Sequence, residues 1–249
     1  MIGTAGAPAQ GGRWPGLSAS EAESLVYAVG HDFRAPLRAI HGFSRMLGDS
    51  AGAALTTEQA HHLETIRGSA DELGRMVDGL LAYLRVAAQP ISPVELDVAV
   101  IAGAIAERLV ARGGPPDLEI HIDPMPRVVA DPGLLEVALE HLIGNAVRFS
   151  RDQSPAIVEV GADEPAAGDP PDTPTFRVRD NGVGFDPARA GRLFGLFQRL
   201  GQLDERDHVG IGLACTRRII DGHGGRIWAT AAPNAGATFA FTLAPSSSQ

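Results

Sequence analysis

The sequence predicts two domains of different class: an α-helical hairpin that forms a dimeric four-helix bundle, followed by an α+β sandwich. Three observations carry this reading. Two apolar seams at heptad spacing occupy residues 29–47 and 63–84. A proline-bearing break, AAQPISP (Ala87–Pro93), ends the second seam. Beyond that break, strand and helix patterns alternate along the rest of the chain.

The elements follow in order. The first 17 residues, MIGTAGAPAQGGRWPGL, are rich in Gly, Ala and Pro and are expected to be disordered, as is the SSSQ tail. From Ser18 or Ser20 the pattern is helical, with Ser as N-cap and Glu21 and Glu23 suiting the first turn. Apolar positions then fall at Val29, Phe33, Pro36, Ile40, Phe43 and Leu47, with spacings of 4, 3, 4, 3 and 4. Gly48–Gly52 interrupts the pattern. A second helix begins near Thr56 or Thr57, with a weak capping motif on Thr57, and runs through Leu63, Ile66, Ala70, Leu73, Val77, Leu80 and Leu84. Such a hairpin cannot cover its own apolar stripe, so a homodimer is expected. After the break, VELDV reads as a short strand, Ala99–Ala111 as a helix and LEIHID as a strand. Asp131-Pro132 opens a helix through Val147. AIVEVGA and TFRVRD read as paired strands around a Pro- and acid-rich loop, Arg217–His223 as the end of a helix closed by Gly222, and GRIWATAA and ATFAFTLA as a last strand pair. Trp228 and Phe239 alternate as core residues.

Composition narrows the function classes. A net charge of −9 over 249 residues excludes a general binder of nucleic acid or anionic membrane. The single cysteine, Cys215, excludes an internal disulfide and suits a reducing cytoplasm. No apolar run reaches the roughly 20 residues of a membrane span, and the start lacks a signal pattern.

Three stretches of the second domain hold residues suited to chemistry. LIGNAVRFS places Asn145 on a helix with Arg148 close behind; DNGVGFD places Asp180 at a strand end before Gly182 and Gly184; VGIGLACTRRII places Gly210 and Gly212 ahead of a helix. An Asn amide oxygen suits a hard cation such as Mg²⁺. An acid at a pocket mouth accepts from an exocyclic amine, glycines admit close backbone approach, and helix N-termini attract phosphate. In the first domain, YAVGHDFRAPLRAI sets His31 beside Asp32, off the seam, with Pro36 loosening the helix nearby. The cluster His61-His62-x-Glu64 matches no established metal spacing and reads as a charged helical turn, and His41 as a bundle surface residue.

These stretches resemble a known family. HDFRAPLRAIHGFSRML is similar to the H-box of sensor histidine kinases and LEHLIGNAVRFS to their N-box, while DNGVGFD, LFGLFQRL and VGIGLA resemble their G1, F and G2 boxes. The wording is nearest to the kinase cores of bacteriophytochrome-like sensors, and the resemblance spans residues 20–245. It implies a dimerisation and histidine phosphotransfer hairpin over 18–88, a hinge over 89–94 and a GHKL-type (Bergerat) ATP-binding domain over 95–245. The implied activity is ATP-dependent autophosphorylation on His31, then transfer to an aspartate of a response-regulator receiver domain, with ATP and Mg²⁺ as ligands. Matched by position, His31 is the phosphate acceptor and Asp32 its general base; a carboxylate beside an imidazole can hold one ring proton so that the other nitrogen attacks. Asn145 holds Mg²⁺, Asp180 the adenine amine, and Gly182, Gly184, Gly210 and Gly212 the nucleotide-facing loops. Arg148 stands near the phosphates, and Gln198 and Arg199 of the F-box reach toward the γ-phosphate.

Three positions depart from the family pattern. His141 occupies the first N-box position, usually Asn in the kinases and a water-activating Glu in the ATPase relatives, and Glu140 lies about 100° around the helix from it. His208-Val209 stands where the G2 box usually opens with glycine, which predicts a stiffer lid over the nucleotide. Ala35 replaces the Thr or Asn four residues after the histidine, which predicts weak phosphatase activity toward the regulator. No sensor domain lies ahead of the hairpin in these residues, so the input comes from the rest of a longer chain or from a separate sensor protein. Two other readings stand beside the kinase: a degenerate phosphotransfer or scaffold protein that does not use ATP, and a GHKL ATPase, which lacks its Glu.

Overall fold

The computed structural model describes residues 19–51, 54–165, 170, 173–198 and 209–244. The segment expected to be disordered, the tail, part of the acidic loop, Arg199 and His208 lie outside the described residues. The described residues fall into two compact units: the hairpin with 196–198 and 209–211, and residues 90–195 with the chain from Gly212 on.

In the first unit, α1 (Ala19–Ala51) continues through Pro36, and α2 (Thr57–Ala88) follows. The cap of α2 is Thr56 rather than Thr57: Thr56 Oγ1 accepts from Gln59 N–H at 3.2 Å, and Gln59 Oε1 accepts from Thr56 N–H at 2.9 Å. Thr56 takes the role because a Gln lies three residues after it, completing a capping box. Arg34 pairs with Asp78 at 2.6 Å and His41 with Asp71 at 3.2 Å, seven residues along α1 matching seven back along α2. Both pairs are exposed and set register more than stability.

The two seams divide between an inside and an outside. Leu37, Ala70, Val77 and Leu81 form the core between the helices. Gly30 lets α1 approach closely, since a Cβ there would stand 3.0 Å from Leu81 Cδ1. The expected seam residues Phe33, Ile40, Phe43 and Leu47 on α1, and Ile66 and Leu73 on α2, are instead exposed, Phe43 to 68%. Each heptad thus buries one apolar row within the hairpin and leaves another outward.

The second unit starts with β1 (Val94–Asp97) and α3 (Val98–Ala111), which Asp97 caps by accepting from Ala99 N–H. β2 (Leu118–Ile122) follows, then β3 (Arg127–Ala130), a strand the sequence pattern does not announce. β3 pairs antiparallel with β1 in a separate two-stranded sheet. Next come α4 (Pro132–Phe149), β4 (Ala156–Asp163), β5 (Thr175–Asp180), α5 (Gly212–Gly222), β6 (Ile227–Ala231) and β7 (Ala237–Phe241). The main sheet has the order β2-β4-β5-β7-β6, parallel between β2 and β4 and antiparallel elsewhere. The rings of Phe176 and Phe241 stack at 5.3 Å in its core, beside the buried Phe239. Trp228 is not a core residue: it is half-buried, with the Arg226 guanidinium 4.2 Å above its ring.

Asp131 ties three segments together. Its Oδ1 caps α4 through Leu134 N–H, and its Oδ2 accepts from Ser92 N–H at 3.0 Å. Its own N–H donates to His223 Nε2, whose Nδ1 donates to the Ile219 carbonyl at the end of α5. Burial alone raises the Asp131 carboxyl, but the backbone donors Leu134, Ser92 and Gly133, with His223, outweigh it and hold the group below its usual range.

Candidate nucleotide site

β5 runs between β4 and β7 and delivers Asp180 to the end of the sheet, opposite Val158 and Ala237. The carboxylate is 4% exposed. Its Oδ1 accepts from Gly182 N–H at 2.9 Å and from Ala237 N–H at 3.3 Å; Oδ2 takes neither bond. Burial drives the Asp180 carboxyl above its ordinary value, and the two backbone donors only partly oppose this.

The chain leaving Asp180 is fastened on three sides. Asn181 accepts from Ile157 N–H and donates to the Pro155 carbonyl. Val183 N–H donates to the Phe149 carbonyl at the end of α4, and Gly236 N–H donates to the Gly182 carbonyl at 2.9 Å. The glycines of this loop have a reason different from ligand approach. A Cβ at Gly182 would lie 2.2 Å from the Phe149 carbonyl oxygen, and one at Gly184, where φ is +60°, 2.0 Å from that of Ala232. They serve the loop's own packing against backbone.

Gly236 and Asn181 also belong to this loop system, although no sequence signal marks them as functional. The turn PNAG reads as an ordinary hairpin signal, and only the tertiary fold lays Gly236 against Asp180. A Cβ at Gly236 would meet the Asp180 carbonyl oxygen at 1.9 Å, at a φ of +75°. Gly236→Ala is therefore expected to destabilise the protein by about 2–4 kcal/mol, read as a fall in urea midpoint by circular dichroism.

α4 presents the remaining groups. His141 and Asn145 lie one turn apart on the same helical face, and both are half-buried. His141 Nδ1 is enclosed and, among the described residues, has no hydrogen-bond partner. Burial lowers the His141 pKa, with Glu140 pulling weakly the other way, so the ring is held in its neutral form. Gly212, the first residue of α5, faces that ring: a Cβ there would stand 3.2 Å from His141 Cδ2. Arg148, in the last turn of α4, carries its guanidinium 4.7 Å over the Phe149 ring. Glu140 faces α3, where Arg112 holds it at 3.2 Å and Arg108 at 3.9 Å. Cys215 is buried, its thiol pushed up to about 11 by that burial, and is inert at neutral pH.

The structure thus brings Asn145, His141 and Gly212 near one another, and ties Asp180, Gly182, Gly184 and Gly236 into one loop system joined to the end of α4. Gly210 and Gln198 form a separate contact in the hairpin unit: at φ +72°, a Cβ on Gly210 would lie 2.5 Å from the Gln198 carbonyl oxygen. His31 lies in α1 but its side chain is outside the described residues; Asp32 next to it is exposed.

Residues 22–89 match the His Kinase A (phospho-acceptor) domain family, and residues 130–247 match the family of histidine kinase-, DNA gyrase B- and HSP90-like ATPases. The chain belongs to the histidine kinases. This kinase is 30% identical over 226 residues to phytochrome-like protein Cph1 of Synechocystis, a match that covers 91% of this chain and 29% of that protein. It is 33% identical over 230 residues to sensor protein KdpD of Mycobacterium tuberculosis, covering 89% of this chain and 26% of that protein. The kinase therefore spans less than a third of the length of these relatives. Among solved structures, full-length ShkA in complex with AMPPNP superposes with a TM-score of 0.59 at 27% identity, over 91% of this chain and 46% of that one. Acinetobacter baumannii AdeS shares the fold, with a TM-score of 0.56 at 18% identity. Among the described residues of the kinase, no helix is long and apolar enough to cross a membrane.

Proposed function

We propose that this kinase uses ATP and Mg²⁺ to phosphorylate itself on His31 and then passes the phosphate to an aspartate of a response-regulator receiver domain. The observation that carries the reading is the buried Asp180 carboxylate at the sheet end, with Oδ2 directed to neither of its backbone donors. Such an oxygen fits the exocyclic amine of adenine, and the AMPPNP held by the similar ShkA agrees with a nucleotide there. The His141 ring, with Gly212 at the start of α5 against its Cδ2 edge, suits the phosphate end.

Asn145 would hold Mg²⁺ through its amide oxygen, and the ion would neutralise charge on the phosphates. The resemblance of the N-box and F-box stretches supports Arg148, Gln198 and Arg199 as further donors to the phosphates. His31 attacks the γ-phosphorus with one ring nitrogen: an N–P bond forms and the bond from phosphorus to the ADP oxygen breaks. Asp32 holds the proton on the other ring nitrogen and takes it as the imidazole gains positive charge. The ATPase reading is disfavoured because Glu140 is engaged by Arg112 and Arg108 on α3.

The outward row of Phe33, Ile40, Phe43, Leu47, Ile66 and Leu73 supports a homodimer, since a second hairpin would bury it as a four-helix bundle. The kinase works in the cytoplasm, receiving its signal from further residues of its own chain or from a separate sensor protein. The deciding experiment is incubation with γ-labelled ATP. Acid-labile, base-stable label on the protein supports the kinase. A folded protein that takes up no label is the scaffold, and free phosphate without label is the ATPase.

A further inference from the structure

We infer that His223 is a proton-sensitive catch where the chain from α2 enters the second unit, closed while its ring is neutral and open once the ring is charged. The inference stands apart from the nucleotide reading above.

The ring bridges two helices. Its Nε2 accepts from the Asp131 N–H at the start of α4, at 3.0 Å, and its Nδ1 lies 2.8 Å from the Ile219 carbonyl in the last turn of α5. A backbone N–H only donates and a carbonyl only accepts. Both bonds together therefore fix one state, a neutral imidazole with its proton on Nδ1. The backbone of His223 is held as well, its N–H by the Ile219 and Ile220 carbonyls and its carbonyl by the Ala244 N–H. A side chain anchored in this way follows the end of α5.

The entering chain is held on both sides of this bridge. Ser92 N–H donates to Asp131 Oδ2 on the α4 side. Ile91, one residue earlier, lies against Gly222 at the end of α5, where an added Cβ would stand 3.1 Å from Ile91 Cδ1. Consecutive residues are thus held by different helices, and the imidazole bond spans the two holds.

Histidine is the side chain whose charge ordinarily changes between about pH 5 and 8. A proton added at Nε2 sets a donor against the Asp131 N–H, and that bond is lost. Asp131 is the charged group facing the ring from α4. It stays an anion over this range, because its backbone donors hold its carboxyl below the usual carboxylate values. The charged ring turns to that carboxylate, and the end of α5 moves with it, taking Gly222 off Ile91. On α5 itself, Asp221 is paired with Arg217 at 3.6 Å, and ahead of β6 the Arg226 guanidinium lies over Trp228. Residues 89–92 and 242–244 carry no titratable side chain. The neutral ring is the bonded form, so the sign is fixed: the catch holds at high pH and lets go on acidification.

The test is an NMR titration of the isotope-labelled full chain, without nucleotide, from about pH 8 to about pH 5. Two signals are followed: the nitrogen–nitrogen coupling across the bond from Asp131 N–H to His223 Nε2, and the nuclear Overhauser contact between the Ile91 Cδ1 methyl and the Gly222 α-protons. Both are expected at the alkaline end, and both are expected to vanish together at the acid end. His223→Gln supplies an acceptor oxygen that stays neutral, so its Ile91–Gly222 contact should persist throughout. Coupling that survives acidification overturns the inference, as does a methyl contact that outlasts the coupling. A His223→Gln chain that loses the contact at acid pH also overturns it, since another group would then be responsible. Should that variant not fold, the wild-type titration decides alone.

Discussion

His31→Ala is expected to abolish incorporation of phosphate from γ-labelled ATP while leaving ATP affinity within about twofold of wild type. The separation of effects follows from where the residues lie. His31 belongs to the hairpin unit, whereas Asp180, Gly182, Asn145 and His141 belong to the other unit. Removing a nucleophile eliminates the bond that must form. Phosphate on the alanine variant at the wild-type rate would place the acceptor elsewhere, with His41 as the first candidate, since it is exposed on the same helix. Loss of ATP affinity together with loss of labelling would mean that the substitution disrupts more than the acceptor.

Asp180→Asn is expected to do the reverse, weakening ATP binding by roughly 10- to 150-fold, the equivalent of about 1.5–3 kcal/mol for one charge-assisted bond. Asn is the informative choice because its oxygen can keep accepting from Gly182 and Ala237 N–H, so the loop stays in place. Its amide nitrogen then faces the adenine amine, donor against donor. Calorimetric titration with ADP and AMPPNP reads the change directly, and an unaltered dissociation constant would argue against Asp180 as the adenine partner. A pH series adds a second reading. The folded-state pKa of Asp180 is raised by burial, so its acid form is favoured by folding; acidification through that pKa costs the fold nothing from this group. It does remove the carboxylate, so wild-type affinity should fall on acidification at a pH above the ordinary carboxylate range. The Asn variant should lack that dependence.

Much of this could be read from the chain before any coordinates. Periodicity placed both hairpin helices and most strands of the sheet, and the boxes placed Asn145 and Asp180 on the elements that now hold them. What escaped has specific physical causes. β3 is four residues squeezed between Pro126 and the Asp131-Pro132 helix start, and its partner β1 lies some 30 positions earlier. The heptad seams are visible as sequence, but which row turns inward is decided by how α1 crosses α2, with Gly30 against Leu81. Trp228 alternates correctly for a core position, yet Arg226 above its ring keeps it at the surface. Gly182 and Gly184 were recognisable as special; that their constraint comes from Phe149 and Ala232 backbone, with Gly236 as a third member, is a fact of tertiary approach.

The grip of Asp131 on Ser92 has a mechanical consequence. Ser92 travels with the second unit, because its N–H is bonded to the same carboxylate that starts α4. Between the end of α2 at Ala88 and Ser92 stand only Gln89, whose N–H still bonds to the Arg85 carbonyl, Pro90, and Ile91, which lies close to Gly222. Four peptide steps reach at most about 14 Å, and proline stiffens one of them. A turn at the end of α2 therefore has few rotatable bonds in which to be lost before it reaches Ser92 and the start of α4.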